Sequence, residues 1–212
     1  MKDNIAKYLL SIRAVFLRPD DPFVWASGIK SPIYCDNRLT LGHPAVRGRI
    51  EAALGGLIGR CYPDCQVLMG TSTAGIAHAA IVAHQMGLPM GYVRGGAKDH
   101  GRNNRIEGLL KPGWRAVVVE DLISTAGSAI ETAQALTEAG ARVLGVASIF
   151  TYGMARGKAA LESAGLVNRS LTNFNALVGV AAELNYIAPG DVARLIAFRD
   201  NPSDPGWMEA RA

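Results

Sequence analysis

Val117-Val118-Val119-Glu120-Asp121-Leu122-Ile123-Ser124-Thr125-Ala126-Gly127-Ser128 decides the reading of this chain. Three β-branched apolar residues in a row predict a buried strand. Two adjacent carboxylates stand at its C-terminal end. A turn of small hydroxyl residues and glycine follows, and Ala129-Ile130-Glu131-Thr132-Ala133-Gln134-Ala135-Leu136 reads as a helix. A strand, a small-residue turn and a helix N-terminus make an anion cradle, because backbone N–H groups and the positive end of the helix dipole converge there. The hydroxyls of Ser124, Thr125 and Ser128 add donors for phosphate oxygens. Glu120 and Asp121 face the same place, where carboxylates accept from sugar hydroxyls or hold a metal. The stretch has no Gly-x-Gly-x-x-Gly and no Gly-Lys-Ser/Thr, which excludes a dinucleotide fingerprint and a P-loop.

Working outward, the chain alternates strand and helix patterns. Strands are expected at 67–69, 90–93, 115–119 and 143–149, and helices at 74–86 and 128–139. Such alternation argues for an α/β fold with a mainly parallel sheet flanked by helices. Further helices are expected at 44–58, 154–164, 174–184 and 190–199. Ile5, Leu9, Ile12 and Phe16 have helical spacing, so a first helix is expected over 3–17. Phe23-Val24-Trp25 and Ile33-Tyr34-Cys35 read as two short strands joined by a turn. Residues 1–42 thus form much of a small N-terminal lobe within a single domain spanning 1–212.

The composition suits that reading. The chain has 212 residues, 49% of them hydrophobic, and a formal charge of +4. No Lys/Arg run with interleaved aromatics accompanies the charge, so a small anionic substrate explains it and nucleic acid is not an expected partner. Three cysteines without a disulfide framework suit a reducing cytoplasm. The N-terminus lacks the apolar core of a signal peptide, and no apolar run has the length of a membrane span. Cys61 and Cys65 have no companion pair at zinc spacing. His78 and His84 lie six apart on one helix, poor geometry for a shared metal. His43 and the tryptophans Trp25, Trp114 and Trp207 read as packing residues.

Loops at the carboxyl ends of parallel strands are where ligands bind. Three of them carry suitable residues: 120–128, Gly70-Thr71-Ser72-Thr73-Ala74-Gly75, and the cationic segment Arg94 to Gly108 with Lys98 and His100. In the second, Ser72 or Thr73 is expected as a helix N-cap.

The acidic pair followed by Ser-Thr-Ala-Gly-Ser resembles the phosphoribosyl-diphosphate (PRPP) motif of the type I phosphoribosyltransferases. That resemblance implies their fold, with a small N-terminal lobe or hood. It places Glu120 and Asp121 by the ribose hydroxyls, and Leu122, Ile123, Ser124, Thr125, Ala126, Gly127 and Ser128 around PRPP, with 124–128 wrapping the 5′-phosphate. The family often has Gly-Gly where this chain has Ala126-Gly127; an Ala is tolerable there if its φ is negative, and its N–H still donates. Thr71 and Ser72 resemble the family's diphosphate loop. The segment with Arg94, Lys98 and His100 resembles the flexible catalytic loop of orotate phosphoribosyltransferases, which closes over the diphosphate of a neighbouring subunit. A homodimer with shared active sites follows from that resemblance. Gly95 and Gly96 stand where such loops usually carry another lysine.

Ser27-Gly28-Ile29-Lys30-Ser31-Pro32-Ile33-Tyr34-Cys35-Asp36-Asn37-Arg38 resembles the segment bordering the pyrimidine in orotate phosphoribosyltransferases. Ala26 stands where many members have a lysine. An arginine that contacts orotate in many members, after the strand that follows the PRPP loop, has no counterpart in Ile149-Phe150-Thr151-Tyr152. Ser124, Lys30, Tyr34 and Arg38 are the expected orotate-binding residues, with Lys30 and Arg38 the candidates for its carboxylate. The implied reaction joins the phosphoribosyl group of PRPP to N1 of orotate, giving orotidine 5′-phosphate and diphosphate in pyrimidine biosynthesis. Lys98, His100 and Asp121 are the implied catalytic residues. The implied cofactor is Mg²⁺, held mainly through PRPP with Asp121 close by. Two other readings keep the donor site: a phosphoribosyltransferase for a different base, and a non-catalytic PRPP-sensing regulator.

Overall fold

The computed structural model describes residues 1–25, 28–95 and 105–209. In chain order it contains α1 (Lys2–Ser11), β1 (Val15–Leu17), β2 (Phe23–Val24), β3 (Lys30–Ser31), β4 (Ile33–Cys35), a 3₁₀ turn (Asn37–Gly42) and α2 (Pro44–Cys61). Then follow β5 (Val67–Thr71), α3 (Ala74–Met86), β6 (Met90–Val93), β7 (Ile106–Gly108), β8 (Arg115–Ile123) and α4 (Gly127–Glu138). β9 (Arg142–Thr151), α5 (Ala155–Ser163), β10 (Asn168–Asn173), α6 (Phe174–Glu183), α7 (Asp191–Asp200) and a 3₁₀ turn (Pro205–Met208) complete it.

The main sheet has six strands in the order β10-β9-β8-β5-β6-β7. β8 lies between β5 and β9 and runs parallel to both. Its valines alternate between two cores, as the period-2 geometry of a strand requires. Val117 and Val119 pack with Leu54 and Ile58 of α2, Val82 of α3 and Leu177 of α6. Val118 and Ala116 pack with Ala129, Ala133 and Leu136 of α4. A strand covered on both faces reads as a continuous apolar run, which is why this one was legible.

Three differences from the sequence reading concern strands. β8 and β9 both run past the apolar run, to Ile123 and Thr151, so Glu120 and Asp121 are part of the ladder. β7 lies at the end of the polar 95–108 segment, antiparallel to β6, which makes the sheet mixed. β10 was not expected, because Asn168-Arg169-Ser170-Leu171-Thr172-Asn173 is mostly polar. It is an edge strand whose outer row of backbone groups needs no apolar cover.

The N-terminal segment also differs. α1 stops at Ser11, and Arg13 adopts a left-handed φ of 55°. Val15-Phe16-Leu17 then extends and pairs antiparallel with β4, while β2 pairs with β3. Pro32 separates the two ladders: it has no N–H to donate, and its carbonyl accepts from Arg18 instead. The segment is tied to the C-terminal helix. Trp25 meets Phe198 edge-on at 5.7 Å between centroids, and Phe198 meets Trp207 likewise at 5.7 Å. Arg194, buried on α7, bonds Asp20 at 2.8 Å, Asp191 at 2.8 Å and the Pro19 carbonyl at 2.7 Å. His78 is fully buried and bonded to Glu51 between α3 and α2, a pair within the core. No described helix is long and apolar enough to cross a membrane.

Candidate active site

The C-terminal ends of β8 and β5 open into a cleft of about 400 Å³. Glu120, Asp121, Leu122, Ser124 and Ser128 line it on the β8 side, Ser72 on the β5 side, and Cys35, Asp36 and Arg38 from the N-terminal segment. A contiguous recess of about 260 Å³ is lined by Ile123, Thr125, Ala126 and Gly127, and it shares Glu120, Leu122, Ser124 and Ser128 with the cleft. A larger cavity, about 740 Å³, runs from Gly153 and α5 to β10 and Lys2. It contains neither carboxylate, so the chemistry belongs to the smaller pair.

The turn between β8 and α4 is shaped by two backbone constraints. Ala126 adopts φ 67°, ψ 7°, not the negative φ its side chain favours. It is the one left-handed position among the three residues between β8 and α4, and an L-residue there costs about 1–2 kcal/mol. No side chain caps α4, and its first turn holds no acidic residue, so the N–H groups of that turn face the recess without a partner from a side chain. The second constraint is Gly157 in the first turn of α5. A Cβ there would lie 2.2 Å from the Ser124 carbonyl oxygen, so the helix rests directly on the turn's main chain. The β5 turn is built similarly. A Cβ on Gly75 would lie 2.3 Å from the Val119 carbonyl oxygen, which lets α3 start against β8. Thr71 is buried with its hydroxyl donating to that same carbonyl at 3.3 Å. Ser72 donates to the Val93 carbonyl at 2.6 Å, joining the ends of β5 and β6. The Ser72–Thr73 peptide is cis. Thr73 occupies the N-cap of α3, but its hydroxyl makes no capping bond.

Glu120 and Asp121 differ in environment. Glu120 is buried, and its Oε1 accepts from the Asp121 N–H at 3.0 Å. Burial pushes its carboxyl well above the usual range; the neighbouring Asp121 pushes the same way, and the Thr71 hydroxyl opposes. Asp121 is part-exposed in the cleft. A carboxyl raised on folding contributes stability that is complete below its unfolded value of about 4.3 and is lost as pH rises through the folded value. The ligand-free protein is therefore expected to lose stability from pH about 5 toward neutrality, and Glu120→Gln to flatten that fall. Melting curves at stepped pH check this; parallel curves for the two proteins contradict it.

The remaining expected residues are distributed as follows. Arg38 reaches the cleft, but its guanidinium is held in a fork by Asp36, at 2.6 and 2.7 Å. That hydrogen bonding holds the Asp36 carboxyl below its usual range. Tyr34 is 42% exposed, stacks against Phe23 at 5.7 Å and lies outside the cleft lining, as does the exposed Lys30. Arg94 follows β6 and pairs with Glu107 at 3.0 Å. Lys98 and His100 lie outside the described residues. Three contributors escaped the sequence reading. Cys35 and Asp36 line the cleft, and Asn37, fully buried, donates from Nδ2 to the Asp121 carbonyl at 2.8 Å. Asn37 lies 84 positions from Asp121, a pairing no local pattern announces.

Comparison with known proteins fits this geometry. Residues 47–183 match the phosphoribosyl transferase domain. An orotate phosphoribosyltransferase of Bacillus cereus (strain B4264) is 54% identical over 210 residues, spanning 99% of this chain and 100% of its own length. The chain belongs to the orotate phosphoribosyltransferase family. Among solved members of the family, that of Aeropyrum pernix superposes with a TM-score of 0.75 at 29% identity, over 87% of this chain and 99% of its own. The Mycobacterium tuberculosis orotate phosphoribosyltransferase, solved with PRPP, gives 0.62 at 26% identity, over 83% and 98% of the two chains. In this family member the fold is the type I phosphoribosyltransferase fold, a mixed, mostly parallel six-stranded sheet with helices on both faces.

Proposed function

We propose that this protein transfers the phosphoribosyl group of PRPP to N1 of orotate, forming orotidine 5′-phosphate and diphosphate in pyrimidine biosynthesis. The observation that carries this reading is the junction of an uncapped helix N-terminus with two strand-end carboxylates in one cleft, in a chain 54% identical to an orotate phosphoribosyltransferase along its full length. The 5′-phosphate takes the N–H groups of the Thr125–Ser128 turn, and the ribose hydroxyls donate to Glu120 and Asp121. The electrons of the C1–O bond leave with diphosphate, N1 of orotate supplies the pair for the new C1–N1 bond, and the N1 proton passes to the departing diphosphate or to water. The ribose develops oxocarbenium character, which the Asp121 carboxylate favours.

Among the described residues no cluster of three His, Cys, Asp or Glu side chains is placed to hold a metal. Asp121, part-exposed in the cleft, fits a Mg²⁺ that would be held mainly through PRPP. When bound, that ion supplies charge neutralisation to the departing diphosphate. Thr71 and Ser72 serve as the floor of the diphosphate side, and Arg94, Lys98 and His100 as its cations. Lys30, Tyr34 and Arg38 remain the candidates on the orotate side, the first two by movement of the N-terminal hood over a bound base. The protein works as a cytoplasmic homodimer, each subunit lending its 94–108 segment to the other's site.

The test is an acceptor panel with PRPP and Mg²⁺. Orotate is expected to be consumed, seen as loss of its absorbance, while uracil and adenine are not. Turnover of another base in its place would support a transferase of different specificity. PRPP binding without turnover of any base would support a PRPP-sensing regulator.

A further inference from the structure

Asn37 stands between the two halves of the site. Its side chain is fully buried, and Nδ2 donates to the Asp121 main-chain carbonyl at 2.8 Å. Its own Oδ1 accepts from the Cys35 thiol at 3.3 Å, which fixes the amide with its nitrogen toward Asp121. Its main-chain carbonyl accepts from the Thr40 hydroxyl at 2.6 Å, and the Asp36 carboxylate accepts from the Arg38 N–H at 3.1 Å. The 37–42 turn is thus cross-tied by its own side chains, and it packs against α2, α3 and β8. Residues on either side of Asn37, namely Asp36 and Arg38, line the cleft from the acceptor side, and Asp121 lines it from the donor side. One buried amide joins the two.

We propose that Asn37 is a positioning residue of the transfer reaction: it holds the main chain of Asp121, so that the acceptor-side segment sets where the Asp121 carboxylate stands. The inference rests on the reading of Asp121 as a PRPP-binding carboxylate. It accounts for a polar side chain buried at a strand end, where an apolar residue of the same shape would leave the Asp121 carbonyl without a partner. Asn37 does not touch substrate; it acts through Asp121.

A double-mutant cycle tests this, read both as kcat/KM for PRPP and as PRPP affinity by calorimetry with Mg²⁺. Asn37→Ala is expected to lower both by at least about tenfold, with the larger change in the PRPP terms. In an Asp121→Asn background the same change is expected to cost less than about twofold, because the group being positioned has gone. Equal losses in the two backgrounds, or no loss in either, would overturn the proposal. Should Asn37→Ala not yield folded protein by circular dichroism, Asn37→Ser, polar but too short to reach Asp121, takes its place in the cycle. Affinity for PRPP keeps the cycle readable even if wild type fails to consume orotate, so failure of the functional reading and failure of this inference are told apart.

Discussion

Gly157→Ala is expected to lower kcat/KM for PRPP by about two orders of magnitude, although residue 157 is in a helix and carries no functional group. The added methyl would meet the Ser124 carbonyl oxygen at 2.2 Å, the Ser124 carbonyl carbon at 3.3 Å and the Thr125 Cα at 3.5 Å. All three are main-chain atoms, so no side-chain rotation relieves the clash. Either α5 backs away or the 124–125 turn is pushed toward the recess. The turn is the softer of the two, since it is a short connection between β8 and α4 whereas α5 is a hydrogen-bonded helix of nine residues. A displacement of about 1 Å in a phosphate cradle misaligns every N–H donor together, which is why the effect is catalytic as well as structural. The same overpacking is expected to reduce stability by about 1–3 kcal/mol. Steady-state kinetics with PRPP varied, on protein shown to be folded by circular dichroism, checks it. A kcat/KM within twofold of wild type would mean that α5, not the turn, yields to the added methyl.

Lys98→Ala is expected to lower kcat by about two orders of magnitude or more, as loss of a preorganised electrostatic group at developing charge does. Arg94, on one side of the segment, is paired with Glu107, and Arg105, on the other, lies 3.7 Å from Glu131 of α4. Both flanking arginines are thus held beside carboxylates of the chain itself. Under the proposed reaction Lys98 is a cation of this segment for the departing diphosphate, and His100 the group able to protonate it near neutral pH. Rapid-quench measurement of the bound reaction separates chemistry from product release. An unchanged chemical step would remove Lys98 from the mechanism.

Much of this site was legible because its parts are local. A strand, an acidic pair, a hydroxyl turn and a helix are consecutive in sequence, and the turn after β5 repeats the arrangement without the acids. What could not be read is long-range or conformational. The Asn37 amide and the Asp121 carbonyl meet across 84 positions. Gly157 reads as an ordinary helical glycine until the Ser124 carbonyl is seen beneath it. The negative φ under which an Ala suits position 126 is not the one adopted, because the connection to α4 decides the backbone and the side chain does not. Phe16 satisfied a helical period with Ile5, Leu9 and Ile12, yet lies on a strand, since pairing with β4 outweighs continuation of the first helix. The polar β10 shows the converse: edge strands need little hydrophobic signal, so periodicity passes over them.

A structure of the complex with PRPP and Mg²⁺ decides where the donor binds. The 5′-phosphate is expected within hydrogen-bond distance of the N–H groups of the Thr125–Ser128 turn, with the ribose hydroxyls on Glu120 and Asp121. A 5′-phosphate bound elsewhere, such as in the cavity bordered by Lys158 and Arg169, would contradict it.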